Sequence, residues 1–164
     1  LMKTVIVYSS ATGNTARLAE ELSARLGIPA CALAEAEGWQ EADRVLAGFW
    51  TDKGSCDEKM AAFLAGLGGK EIALFGTAGF GKEDAYFEAI LGRVKEQLPA
   101  DSRYLGGFMC PGKMGMGIRR RYEAMLAADP ADNRAKMLLE NFDAVLDRPN
   151  EQDLEALVRW AESL

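Results

Sequence analysis

The sequence predicts an α/β fold of three layers, a parallel sheet with helices on both faces. Three observations carry that expectation. Short β-branched or aromatic runs alternate with stretches of helical periodicity along the whole chain. The first run, Thr4-Val5-Ile6-Val7-Tyr8, is apolar without alternation, as a strand buried on both faces must be. Parallel neighbours need crossovers, and right-handed crossovers put helices over both faces of the sheet. A length of 164 residues suits one such unit, so residues 1–164 are expected to form a single domain.

Each element has its own signal. After the first strand and the polar stretch Ser9 to Thr15, Leu18, Leu22 and Leu26 recur every fourth residue, Glu21 can pair with Arg25, and Gly27 supplies the stop. Pro29 to Leu33 reads as a short second strand, and Glu35 to Asp43 as an acidic connection or helix around Trp39. Arg44 to Phe49 is the third strand, with a loop from Trp50 to Ser55; Met60, Phe63, Leu64 and Leu67 then mark a helix ending at Gly68-Gly69. Glu71 to Phe75 is the fourth strand, leading through Gly76 to Gly81 into a helix that turns Phe87, Ile90, Leu91, Val94 and Leu98 inward. Tyr104 to Cys110 is the fifth, where Gly106-Gly107 predicts a bulge. Helices over Ile118–Leu126 and Arg134–Leu146 are separated by Asp129-Pro130, and a last helix starts at Asn150, an N-cap with Asp153 at its third position.

Composition removes several functions. Nineteen Lys and Arg against 25 Asp and Glu leave a net charge of −6, which repels nucleic acid and suits a basic partner. Three widely spaced cysteines read as reduced thiols, and with no apolar run near the roughly 20 residues of a membrane span and no signal-peptide pattern, the expected location is the cytoplasm. Leu1 ahead of Met2 reads as an addition to the natural start. Histidine is absent, which excludes Ser-His-Asp and Cys-His catalysis and histidine-dependent zinc. Met116 and Ala62 stand where a phosphatase loop on Cys110 or Cys56 would need arginine, so neither thiol reads as a nucleophile.

In parallel sheets ligands bind beyond the carboxyl ends of the strands, which points to the loops after strands one, three and four. The first, Ser9-Ser10-Ala11-Thr12-Gly13-Asn14-Thr15, sets the hydroxyls of Ser10, Thr12 and Thr15 around a glycine at a helix start. Backbone N–H groups and the helix dipole favour an anion there, so a phosphate is expected to be held without lysine or arginine. It is neither a Walker loop nor a GxGxxG turn, and by itself it also reads as an ordinary capped turn.

The run Ile6 to Thr15, with Ala19 and Leu22 behind it, resembles the FMN-phosphate signature of the flavodoxins at every constrained position. That resemblance implies a flavodoxin-like sheet of order 2-1-3-4-5, with FMN as cofactor and its phosphate against Ser10, Ala11, Thr12, Gly13, Asn14 and Thr15. In the second loop, Phe49, Trp50, Thr51, Asp52, Lys53 and Gly54 are expected beside the flavin. Trp50 alone reads as a core or rim aromatic; beside the first loop it reads as the wall on which the ring stacks. Flavodoxins turn a backbone peptide of this loop toward flavin N5, and which peptide would do so here is left open. In the third loop, Thr77, Ala78, Gly79, Phe80 and Gly81, followed by Lys82, are expected along the other edge, with Phe80 over the second face. Asp52, Asp57 and Glu58, with Glu83, Asp84 and Glu88 opposite, are expected to ring the flavin and receive a basic redox partner.

The Gly-Phe-Trp loop and Cys110-Pro111-Gly112-Lys113-Met114 resemble a flavodoxin-like subgroup, some members of which are linked to bilin reduction. The implied role is an electron carrier between a reductase and an acceptor enzyme, a bilin reductase among the acceptors, in a monomer or weak dimer. An NAD(P)H-dependent FMN or quinone oxidoreductase on the same fold stays open, as does a subunit that has lost FMN. A phosphoryl-accepting receiver domain would need acidic residues where Ser9-Ser10 and Gly48-Phe49 stand. Residues 111–148, which include Arg119-Arg120-Arg121 and exceed what compact flavodoxins carry there, read as helices closing the fold or as a docking element.

Overall fold

The computed structural model describes residues 2–81 and 83–164; Leu1 and Lys82 lie outside them. Five strands form one parallel sheet in the order β2-β1-β3-β4-β5. They are β1 (Thr4–Tyr8), β2 (Ala30–Ala32), β3 (Arg44–Trp50), β4 (Glu71–Ala78) and β5 (Arg103–Pro111). The helices are α1 (Asn14–Leu26), α2 (Glu58–Ala65), α3 (Asp84–Lys95), α4 (Met116–Ala128), α5 (Asn133–Ala144) and α6 (Glu151–Glu162). The segment around Trp39 is two short 3₁₀ turns, Leu33–Glu35 and Trp39–Glu41, with the Trp39 ring edge-on to Phe63.

Two cores lie either side of the sheet, because alternate strand residues face opposite ways. Val7, Val45, Ala47, Phe49, Ile72 and Leu74 pack against α2 and α3 through Met60, Phe63, Leu64, Phe87, Ile90 and Val94. Ile6, Leu46, Ala73, Phe75 and Cys110 pack against α1 and α6 through Leu18, Ala19, Leu22, Leu154, Leu157, Val158 and Ala161. The expected bulge is present: Ile72 pairs with Tyr104 and Ala73 with Gly106, leaving Leu105 unpaired. α6 begins with the expected capping box, in which Asn150 accepts from Asp153 N and Asp153 accepts from Asn150 N.

β3 and β4 lock together through a reciprocal pair of phenylalanines and glycines. Gly48 stands opposite Phe75, and Phe49 opposite Gly76. A Cβ on Gly48 would meet the Phe75 ring at 2.5 Å, and one on Gly76 would meet the Phe49 ring at 2.4 Å. Each ring thus crosses its neighbour's backbone, one on each face of the sheet, at the strand ends that carry the second and third loops. The ladder also runs further than the apolar runs suggest. Trp50 pairs with Thr77 and Ala78 with Pro111, so Trp50, Thr77 and Ala78 are strand residues where loop residues are expected.

Candidate functional site

The first loop is shaped by Gly13, which caps α1 at φ 94°, a left-handed conformation that glycine adopts without strain. Ser10 Oγ accepts from the N–H groups of Gly13 and Ala16, both at 3.2 Å. The N–H groups of Ala11, Thr12, Asn14 and Thr15 have no partner among the described residues. Asn14 Nδ2 donates to Thr12 Oγ1 and, at 2.8 Å, to the carbonyl of Lys113, joining this loop to the one after β5. Unpaired amides at a helix start, with the Ser10 and Thr12 hydroxyls free to donate, form a cradle for a phosphate.

Thr15 plays another part than expected. It is fully buried, and its hydroxyl bonds the Phe49 carbonyl and the Thr77 hydroxyl, both at 3.0 Å. Its single proton goes to the carbonyl, so Thr77 donates to Thr15 and only the backbone N–H of Thr15 remains for an anion.

The second loop turns sharply at Asp52-Lys53-Gly54-Ser55, where Asp52 and Ser55 exchange backbone hydrogen bonds of 2.7 and 3.1 Å. Lys53 at φ 51° and Gly54 at φ 83° give the two left-handed central residues of a type I′ turn. Arg93 from α3 donates to the Gly54 carbonyl at 3.0 Å. The central peptide, Lys53 C=O and Gly54 N–H, is without a partner among the described residues.

One cleft of about 350 Å³ gathers these parts, a size usual for a small-molecule site. It is lined by Ser10, Ala11, Thr12, Asn14 and Thr15, by Trp50, Thr51, Lys53 and Gly54, and by Thr77, Ala78, Gly79 and Phe80. Four expected residues lie elsewhere. Gly13 bends the turn without lining the cleft, and Phe49 is buried in the core with only its carbonyl near Thr15. Asp52 serves the turn through its backbone. Gly81 faces a neighbouring cavity between Phe80, Tyr86 and α5.

Tyr86, Lys113, Met114, Gly115 and Ile118 complete the lining and were not expected there. Four of them come from the segment after β5, whose carboxyl end opens on the same edge as those of β3 and β4; that rule of strand ends is the signal that would have found them. Met114 lies across Gly79, where a Cβ would meet its Cγ at 2.5 Å. Lys113 adds a second basic side chain to the lining, beside the expected Lys53. Asp57 is also corrected: its carboxylate caps α2 and accepts from Ser9, Trp50 and Met60, so it is half-buried and engaged rather than part of an exposed acidic edge.

Comparison with known proteins agrees with this geometry. The flavodoxin domain family matches residues 5–162. The chain belongs to the flavodoxin family. It is 41% identical to the flavodoxin-like domain-containing protein BilS of Clostridium symbiosum, over 94% of this chain and 92% of that protein. Identity to the BilS protein of Clostridioides difficile is 31%, covering 99% and 96%. Oxidised flavodoxin 1 of Bacillus cereus shares the fold at TM-score 0.56 and 16% identity, over 98% of this chain and 95% of that one. A flavoprotein of Lactobacillus acidophilus, solved in complex with FMN, does so at TM-score 0.55 and 14% identity, over 67% and 94%.

The residues of this flavodoxin-family chain fit FMN. Amides without a partner among the described residues suit a phosphate, an indole stands one strand away for a ring, and the Lys53–Gly54 peptide offers close backbone approach.

Proposed function

We propose that the chain binds one FMN noncovalently in this cleft and carries electrons from a reductase to an acceptor enzyme. The observation that carries the reading is the joining, in a single cavity, of an amide-lined helix start with Trp50 at the end of a nearby strand. Bound FMN supplies one- and two-electron chemistry that amino-acid side chains lack. The protein's part is to hold and tune it. The 10–15 turn would hold the phosphate, with Lys113 as a partial counter-charge. Trp50 would stack on the ring, and Phe80, Tyr86 and Met114 would exclude water. The Lys53–Gly54 peptide, without hydrogen bonds on either side among the described residues, is able to turn its C=O or N–H toward flavin N5.

A carrier is favoured over an NAD(P)H-dependent oxidoreductase by the exposed carboxylates of Glu58, Glu83, Asp84 and Glu88, whose charge opposes a phosphate-rich nicotinamide dinucleotide and suits a basic protein surface. The bilin-reducing acceptor implied by the sequence resemblance is the first acceptor to test. FMN titrated into the purified protein should saturate at one equivalent with a perturbed visible spectrum, and the loaded protein should oxidise NADPH at a negligible rate without added reductase. Absence of flavin binding would remove the reading, and sustained NADPH turnover would make the chain an oxidoreductase.

A further inference from the structure

The Asp57 carboxylate takes three hydrogen bonds from three separate parts of the chain. Oδ2 accepts from Ser9 Oγ at 2.9 Å and from Trp50 Nε1 at 3.1 Å, while Oδ1 accepts from Met60 N at 2.8 Å. Ser9 follows β1, Trp50 ends β3 and Met60 lies in the first turn of α2. A surface aspartate that only capped a helix would need the last of these bonds. The other two converge on the indole that lines the cleft. A tryptophan has one polar atom, so a bond at Nε1, together with the backbone ladder at Trp50, leaves its ring little freedom to rotate. Ser9 in turn donates its N–H to the Gly48 carbonyl at 2.9 Å, which ties the second donor on Oδ2 to the same strand.

We propose that Asp57 is a positioning residue: it clamps the Trp50 indole in the orientation in which that ring forms the cofactor-facing wall, and so sets the tightness of flavin stacking. This rests on the FMN reading above and goes beyond it by naming what holds the wall in place. The carboxylate does not line the cleft and acts only through the indole. Preorganisation is the physical gain, since a ring already held in place loses no rotational freedom when a flavin stacks on it.

Asp57→Asn separates the roles by chemistry. Its amide oxygen still caps Met60 N, and its NH₂ group can donate to the Ser9 hydroxyl, but NH₂ facing the Trp50 N–H sets donor against donor. Asparagine is as good an N-cap as aspartate, so the variant retains α2. In this variant one of the three tryptophan indole N–H resonances should move, FMN should bind about five- to tenfold more weakly, and the bound flavin should be less quenched. In a Trp50→Phe background, where an aromatic wall remains without the N–H, Asp57→Asn should change the FMN dissociation constant less than about twofold. An Asp57→Asn protein with unchanged indole resonances, affinity and flavin quenching overturns the clamp, as does an equal loss of affinity in both backgrounds. If the unaltered protein takes up no FMN, the cofactor reading itself fails and the clamp as a flavin device goes with it.

Discussion

Thr15 and Asp57 exchange the roles their chemistry suggests in one dimension. A threonine in a hydroxyl-rich turn looks like a phosphate ligand, yet its hydroxyl is used to pin β3 to β4 through Phe49 and Thr77. An aspartate among acids looks like a docking charge, yet it holds a tryptophan. The thiols show burial acting on chemistry at the same scale. Burial raises the pKa of Cys31, Cys56 and most of all Cys110, and the Asp153 carboxylate raises Cys110 further. A folded-state pKa above the unfolded value means that the stability attached to Cys110 is present below about pH 8.5 and is lost as pH rises, because only the unfolded chain releases the proton. Stability against urea should therefore fall above about pH 9, by up to about 1.4 kcal/mol per pH unit for this group. Cys110→Ala should show a shallower decline than the parent; parallel curves would show that the thiol is not responsible.

Among the elements, β3 and β4 were legible as strands from their apolar runs, but their ends were not. The runs stop at Phe49 and Phe75, and only the neighbouring strands show that the ladder continues to Trp50 and Ala78. The interlock of Phe49 over Gly76 and Phe75 over Gly48 was equally invisible, since it depends on a register between segments more than 20 residues apart. Its consequence is steep. Gly76→Ala should cost about 1–3 kcal/mol through overpacking of the Phe49 ring, read as a lower denaturant midpoint. A loss below about 0.5 kcal/mol would mean that the ring moves aside freely. α4 and α5, read from the sequence as helices closing the fold or as a docking element, differ in burial. α5 buries Ala135, Leu138 and Phe142, and its Asn141 donates to the Gly79 carbonyl at 2.8 Å. α4 buries none of its residues; Arg119 bonds Glu123 on its own helix, pairs with Asp143 of α5 and lies over the Phe142 ring.

At the scale of the whole molecule, a net charge of −6 and the exposed carboxylates of Glu58, Glu83, Asp84 and Glu88 should steer a basic partner. Electron transfer from the FMN-loaded, reduced protein to a basic haem protein should slow by about tenfold or more between low and 0.2 M salt, as screening shortens the reach of the field. A rate independent of salt would place docking on uncharged contacts. No helix among the described residues is long and apolar enough to cross a membrane.

Local signals were sufficient for the class of fold, the strand-and-helix order, the glycine turn at the head of α1 and the α6 capping box, because each is written in contiguous residues. Interactions between distant segments decided the rest. Lys113 and Met114 enter the cleft only because β5 lies beside β4, and Asp57 meets Ser9 only because the end of β1 lies beside the start of α2. Hydrogen-bond partners and pocket walls are properties of proximity in space, and periodicity along a chain carries no record of which loops will share an edge of the sheet.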